Sequence, residues 1–118
     1  MGNANFVTLV TFDCEAGRSE EVVEYIELQG FSRQAMNGRD LPRNIHLKND
    51  YEFFDQANAT SLRLSDIKQH CDRIADKYRE DIKDFFDRND IAGHIYVFVS
   101  IQEASDDSVS GSADWRAD

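Results

Sequence analysis

Cysteine occurs only at Cys14 and Cys71, which excludes a disulfide framework as the source of stability and fits two buried or half-buried thiols in a reducing compartment. Proline occurs once, at Pro42. Basic residues are few, 13 against 23 acidic, for a net charge of −10. Such a surface repels nucleic-acid phosphates and anionic membranes and attracts a basic protein partner. Asp outnumbers Glu and Lys is scarce beside Arg, a composition that also fits solubility or a saline habitat. No run approaches the roughly 18 apolar residues of a membrane span, and the N-terminus has no basic segment leading into an apolar one. The expected location is cytoplasmic, without membrane insertion. Nucleotide-loop, dinucleotide, zinc and nucleophile-elbow motifs are all missing, and the three histidines and two cysteines lack metal-ligand spacing.

What is present begins with an amphipathic run, Ser65 to Arg88. Ile67, Cys71, Ile74, Tyr78, Ile82 and Phe85 fall on one helical stripe. About four residues later the period changes to two. Ile95, Val97, Val99 and Ile101 then face one way and His94, Tyr96, Phe98 and Ser100 the other. At the other end, Phe6 to Phe12 reads as a strand and Ser19 to Gln29 as a helix. Ser19 is placed to cap that helix, Glu20 and Glu21 suit its positive end, and Gly30 supplies the left-handed residue that ends it. On the long helix, the Asp and Glu residues interleave with Arg and Lys as a solvated face, with spacings that show no design for strong pairing.

The middle supports two readings. Phe31 to Met36 alternates weakly as a second strand, and Asn37 to Ala59 is polar, with turn signals at Asn37-Gly38, Pro42 and Asn49-Asp50. In one reading this is a long functional loop and Thr60 to Asp66 is the third strand. In the other, Asn44 to Lys48 and Tyr51 to Asp55 form a hairpin about Asn49-Asp50 and Ser65 caps the long helix. Both give α+β, ferredoxin-like βαββαβ: a four-stranded antiparallel sheet with two helices on one face. The expected domain spans residues 1–104. Residues 105–118 are serine-rich and acidic and read as a disordered tail, with Trp115 as its docking residue. The other sheet face would carry Tyr96 and Phe98, too apolar for water, which implies an oligomer closed through that face.

The order of elements, with Gly30-Phe31-Ser32, Asn37-Gly38-Arg39 at the loop entry, Ile74-Ala75-Asp76 and Ala92-Gly93-His94-Ile95-Tyr96-Val97, resembles the PII-like regulatory proteins over residues 6–102. The resemblance implies a homo-oligomer, trimer favoured over dimer. It also implies a long loop that docks partners and an adenine nucleotide as ligand. Gln102-Glu103-Ala104-Ser105-Asp106-Asp107 stands where that family often has an arginine, and its charge opposes a phosphate, so no cofactor is expected.

Three functions follow. The first is a non-enzymatic PII-like regulatory or binding protein that engages a partner or small ligand through loop 37–59, with Gly38, Arg39, Arg43, His46, Lys48, Tyr51 and Phe53 as contacts. The second is an acidic inhibitor or immunity-type protein that mimics nucleic acid toward a basic partner. The third is a small dimeric α+β-barrel oxygenase. No carboxylate or histidine pair argues for catalysis.

Overall fold

A computed structural model describes residues 2–35, 38–42, 44–54 and 64–102, with backbone alone at 2–4 and 51–54. The elements run β1 (Gly2–Cys14), α1 (Ser19–Leu28), β2 (Ile45–Phe54), α2 (Leu64–Arg88) and β3 (Gly93–Ile101). Among the described residues three strands form the sheet, in the order β2-β1-β3, with both pairings antiparallel. The expected four-stranded ferredoxin-like sheet is therefore corrected to three strands.

Two local outcomes account for the difference. The expected strand Phe31 to Met36 contributes isolated bridges, Ser32 with Leu47 and Gln34 with Asp40, and Met36 itself lies outside the described residues. The expected hairpin about Asn49-Asp50 is instead a continuous strand in which Asn49 pairs with Val7 and Asp50 with Phe6. A two-residue hairpin there would require positive φ at its centre. Asn44 and Asp90 are the only non-glycine residues with positive φ among those described, and Asn49 and Asp50 stay extended. The thirteen-residue β1 offers a partner over the whole length of β2, so the ladder prevails over the turn signal. Of the rival strand Thr60 to Asp66, residues 60–63 lie outside the described set and Leu64 to Asp66 begin α2.

Both helices pack on one face. Phe6, Val10 and Phe12 of β1 join Val22 and Ile26 of α1, Phe31, and Ile74, Tyr78, Ile82 and Phe86 of α2 in one core, with Ile95, Val97, Val99 and Ile101 of β3 against it. The α2 stripe is as read down to Ile82. Beyond it, Phe86 is buried, whereas Phe85 is half-buried and stacks on Tyr25 at 4.2 Å, joining the two helices. Gly93 is required where β3 meets the end of β1: a Cβ there would lie 2.3 Å from the Asp13 carbonyl oxygen and 2.7 Å from the Phe86 ring.

Helix ends are closed by residues from elsewhere in the chain. Ser19 is the first residue of α1 rather than its cap, and its hydroxyl sits 3.7 Å from Cys14 Sγ. Arg18 takes the cap position, with no side-chain capping bond. Its guanidinium bonds Glu21 and donates to the carbonyl oxygens of Asn89 (2.8 Å) and Asp90 (3.4 Å) at the C-terminal end of α2. A cation there complements the helix dipole. Lys48 does the same for α1, its Nζ donating to the Gln29 carbonyl at 2.7 Å. Gly30, at φ 98°, follows, and a Cβ on it would press on Lys48 Cε at 3.1 Å.

Candidate functional site

Register assigns each strand residue to a face, because paired residues point the same way and successive residues alternate. The face away from the helices carries three cross-strand rows: Tyr96, Thr11 and Ile45; Phe98, Leu9 and Leu47; Ser100, Val7 and Asn49. Tyr96 is 57% exposed and Phe98 52%. None of these nine residues is charged, in a chain where 31% of residues are. At one end of this face Asp13 Oδ1 lies 3.2 Å from His94 Nδ1. At the β2 side the face leads into a groove of about 280 Å³ whose lining includes Val7, Leu47, Asn49, Ser32, Gln34 and the charged Lys48. An apolar row ending in hydroxyl and amide groups is suited to a neutral or amphipathic surface. It has no nucleophile or charged acid-base group within it.

The helix-covered face is polar along β2. Lys48 Nζ stands 3.8 Å from Asp50 and 4.9 Å from the centre of the Tyr78 ring, and Tyr78 donates to Asp50 Oδ2 at 2.8 Å. Deeper in, His46 is 0% exposed, and neither ring nitrogen has a hydrogen-bond partner among the described residues. The buried Thr8 hydroxyl is likewise unpartnered. Thr8 pairs with Lys48 in the ladder and His46 with Val10, so the two polar groups lie diagonally on adjacent strands. Burial pushes the His46 imidazole below its usual 6.5, Glu27 draws it up and nearby Arg33 pushes it down.

The residues expected to form a binding loop are not gathered. Gly38 and Arg39 lie in an exposed turn, His46 is in the core, and Lys48 is engaged with α1 and Asp50. Tyr51 and Phe53 pair through their backbones with Asn5 and Asn3. Arg43, Trp115 and the tail 105–118 lie outside the described residues. Tyr96 and Phe98, by contrast, are on the surface, as their alternation indicates. Leu9, Leu47 and Ile45 lie beside them, a shared face that only the strand register shows.

Elsewhere, Cys14 and Cys71 are free and half-buried, with burial and then Asp72 raising the Cys71 thiol. His70 is half-buried, its ring 6.0 Å from Phe6 and its Nδ1 3.0 Å from Arg73. No group of three His, Cys, Asp or Glu residues able to hold a metal occurs among the described residues. No helix among them is long and apolar enough to cross a membrane. The seven acidic residues of α2 include four that stand in ion pairs on its exposed face: Asp72 with Lys68 (3.2 Å), Asp76 with Arg79 (3.5 Å), Asp84 with Arg88 (2.9 Å) and Asp87 with Lys83 (2.7 Å). Spacings of three and four, which the like-charge repeats had obscured, bring these pairs together. Comparison with protein-family models, with curated proteins and with solved structures finds no match.

Proposed function

We propose that this protein is a non-enzymatic binding module of regulatory type that engages a protein partner through the open face of its sheet. The observation that carries the reading is the placement of Tyr96 and Phe98, more than half exposed, within nine uncharged residues on a molecule of net charge −10. Aromatic side chains bury much area with few rotors, which makes them the usual anchors of interfaces. The contact moves from the loop 37–59 to the sheet, because β2 occupies Ile45–Phe54 of that segment and Lys48 is held inside the fold.

The acidic-inhibitor reading draws on α1, which carries Glu20, Glu21, Glu24 and Glu27 and no cation. It draws little on α2, where carboxylates and cations alternate in pairs. The anchor reading is tested with a photo-reactive residue at position 98 and, as a control, at Glu80 on α2. Position 98 should give a discrete adduct with another polypeptide, distinguished by mass from a doubled chain, and position 80 should give none. Identical adduct patterns from the two positions would remove the sheet face from consideration.

A further inference from the structure

The order β2-β1-β3 leaves β3 as an edge strand, with no described strand on its far side. Edge strands present rows of N–H and C=O groups to any extended chain, and natural proteins blunt them with charge, proline or short length. Gly93–Ile101 has none of these: it is nine residues long, contains no Asp, Glu, Lys, Arg or Pro, and is apolar at Ile95, Tyr96, Val97, Phe98, Val99 and Ile101. The opposite edge is blunted, since β2 carries Lys48 and Asp50 and is bridged by Ser32.

From this contrast we infer that β3 pairs antiparallel with β3 of a second copy, joining two three-stranded sheets into one of six strands. A strand paired with itself about a two-fold axis is complementary in register by symmetry. An axis through Val97 sets Tyr96 of each copy opposite Phe98 of the other on the open face, and Ile95 opposite Val99 on the covered face. Aromatic and β-branched cross-strand pairs are the stabilising kind.

Charge selects a second copy over other strands. The helix that packs on β3 is α2, and Leu64–Arg88 carries seven acidic and six basic residues, paired along its surface. The α1 carboxylates, of which Glu21 is met by Arg18, belong to the helix whose C-terminal end is held from the β2 side, by Lys48. Joining through β3 thus brings the charge-balanced helices to the seam and keeps the α1 helices of two acidic chains apart. The pairing does not depend on the partner-binding reading, since the edge can be used whether or not the open face is.

Sedimentation equilibrium at high micromolar concentration reads the mass. The unmodified chain should be a dimer. The double variant Tyr96→Lys, Phe98→Lys, which sets like charges opposite each other across the seam, should be a monomer with unchanged circular dichroism. Leu9→Glu, at the centre of the open face and away from the edge, should remain a dimer while position 98 loses its adduct with another polypeptide and keeps any doubled-chain adduct. Hydrogen exchange of the unmodified protein supplies a reading free of substitutions: β3 amides should be protected in concentrated protein and exchange faster on dilution. A monomer at every concentration would overturn the inference. So would a folded Leu9→Glu monomer, which would mean face-to-face packing, or β3 exchange independent of concentration.

Discussion

Acidification should weaken this fold through one side chain, and replacing His46 by leucine should remove the effect. His46 is fully buried, neither ring nitrogen has a partner among the described residues, and its imidazole is held below the 6.5 that an exposed histidine shows. Well above that value the ring is neutral in folded and unfolded chains alike and adds no pH dependence. As pH falls through 6.5, the unfolded chain takes up the proton and the folded chain does not. Stability is therefore lost from that point down to the folded-state value, with a slope of at most about 1.4 kcal/mol per pH unit for one proton. The charged groups facing the ring are Glu27 from α1, which favours protonation, and Arg33 from the segment after it, which opposes it; burial, acting in the same direction as Arg33, outweighs Glu27. At the low end of roughly 1–3 kcal/mol each, removing two buried nitrogens without described partners gains about 2–3 kcal/mol, offset by up to about 1.5 kcal/mol for the change of shape in His46→Leu. The net expectation is a gain of about 1 kcal/mol near neutrality, or roughly 4 °C in melting temperature for a domain of this size. Urea unfolding of both proteins across a pH series is the assay. Parallel profiles between neutrality and the acid limb, or a variant less stable than the parent at neutral pH, would refute the reasoning.

Tyr78→Phe should cost about 1.5–3 kcal/mol in urea unfolding, because it removes the donor to the partly buried Asp50 carboxylate while keeping the ring against Phe31. A neutral result would mean that Lys48 alone satisfies Asp50. Phe86→Ala should destabilise by roughly 3–5 kcal/mol and Phe85→Ala by clearly less, since the first empties the core and the second only breaks the stack on Tyr25. Equal melting temperatures for the two would contradict the helix phase described above.

The parts of the fold legible in the sequence are those where each side chain's polarity matches its face. Along α2 and β3 the apolar periods of 3.6 and 2 run unbroken into the core, so both elements stand within a residue or two of the expected bounds. In β2 the rule fails at three alternate positions. His46, Lys48 and Asp50 point toward the helices, and the latter two, besides pairing with each other, bond to Gln29 and Tyr78, residues far away in sequence. Without those partners in view, polar residues beside an Asn-Asp pair read as a loop or hairpin, and a sheet strand became a binding loop. Tyr96 and Phe98 were legible as a misfit, apolar groups on the side of β3 that the helices do not cover. Their neighbours Leu9 and Leu47 were not, because the pairings of β1 with β2 and β3 are set by contacts between segments tens of residues apart.

The Arg18 contacts bear on cooperativity. One guanidinium joins the start of α1 to the end of α2 across 71 residues of chain, and beside it Glu15 and Ala92 exchange bonds at 3.0 Å, backbone N–H to carbonyl one way and N–H to carboxylate the other. The turn leaving β1 and the turn entering β3 are thus a single junction made of two sequence-remote pieces. Fraying of either helix at this end takes away a partner of the other, so the two ends come apart together or stay closed together.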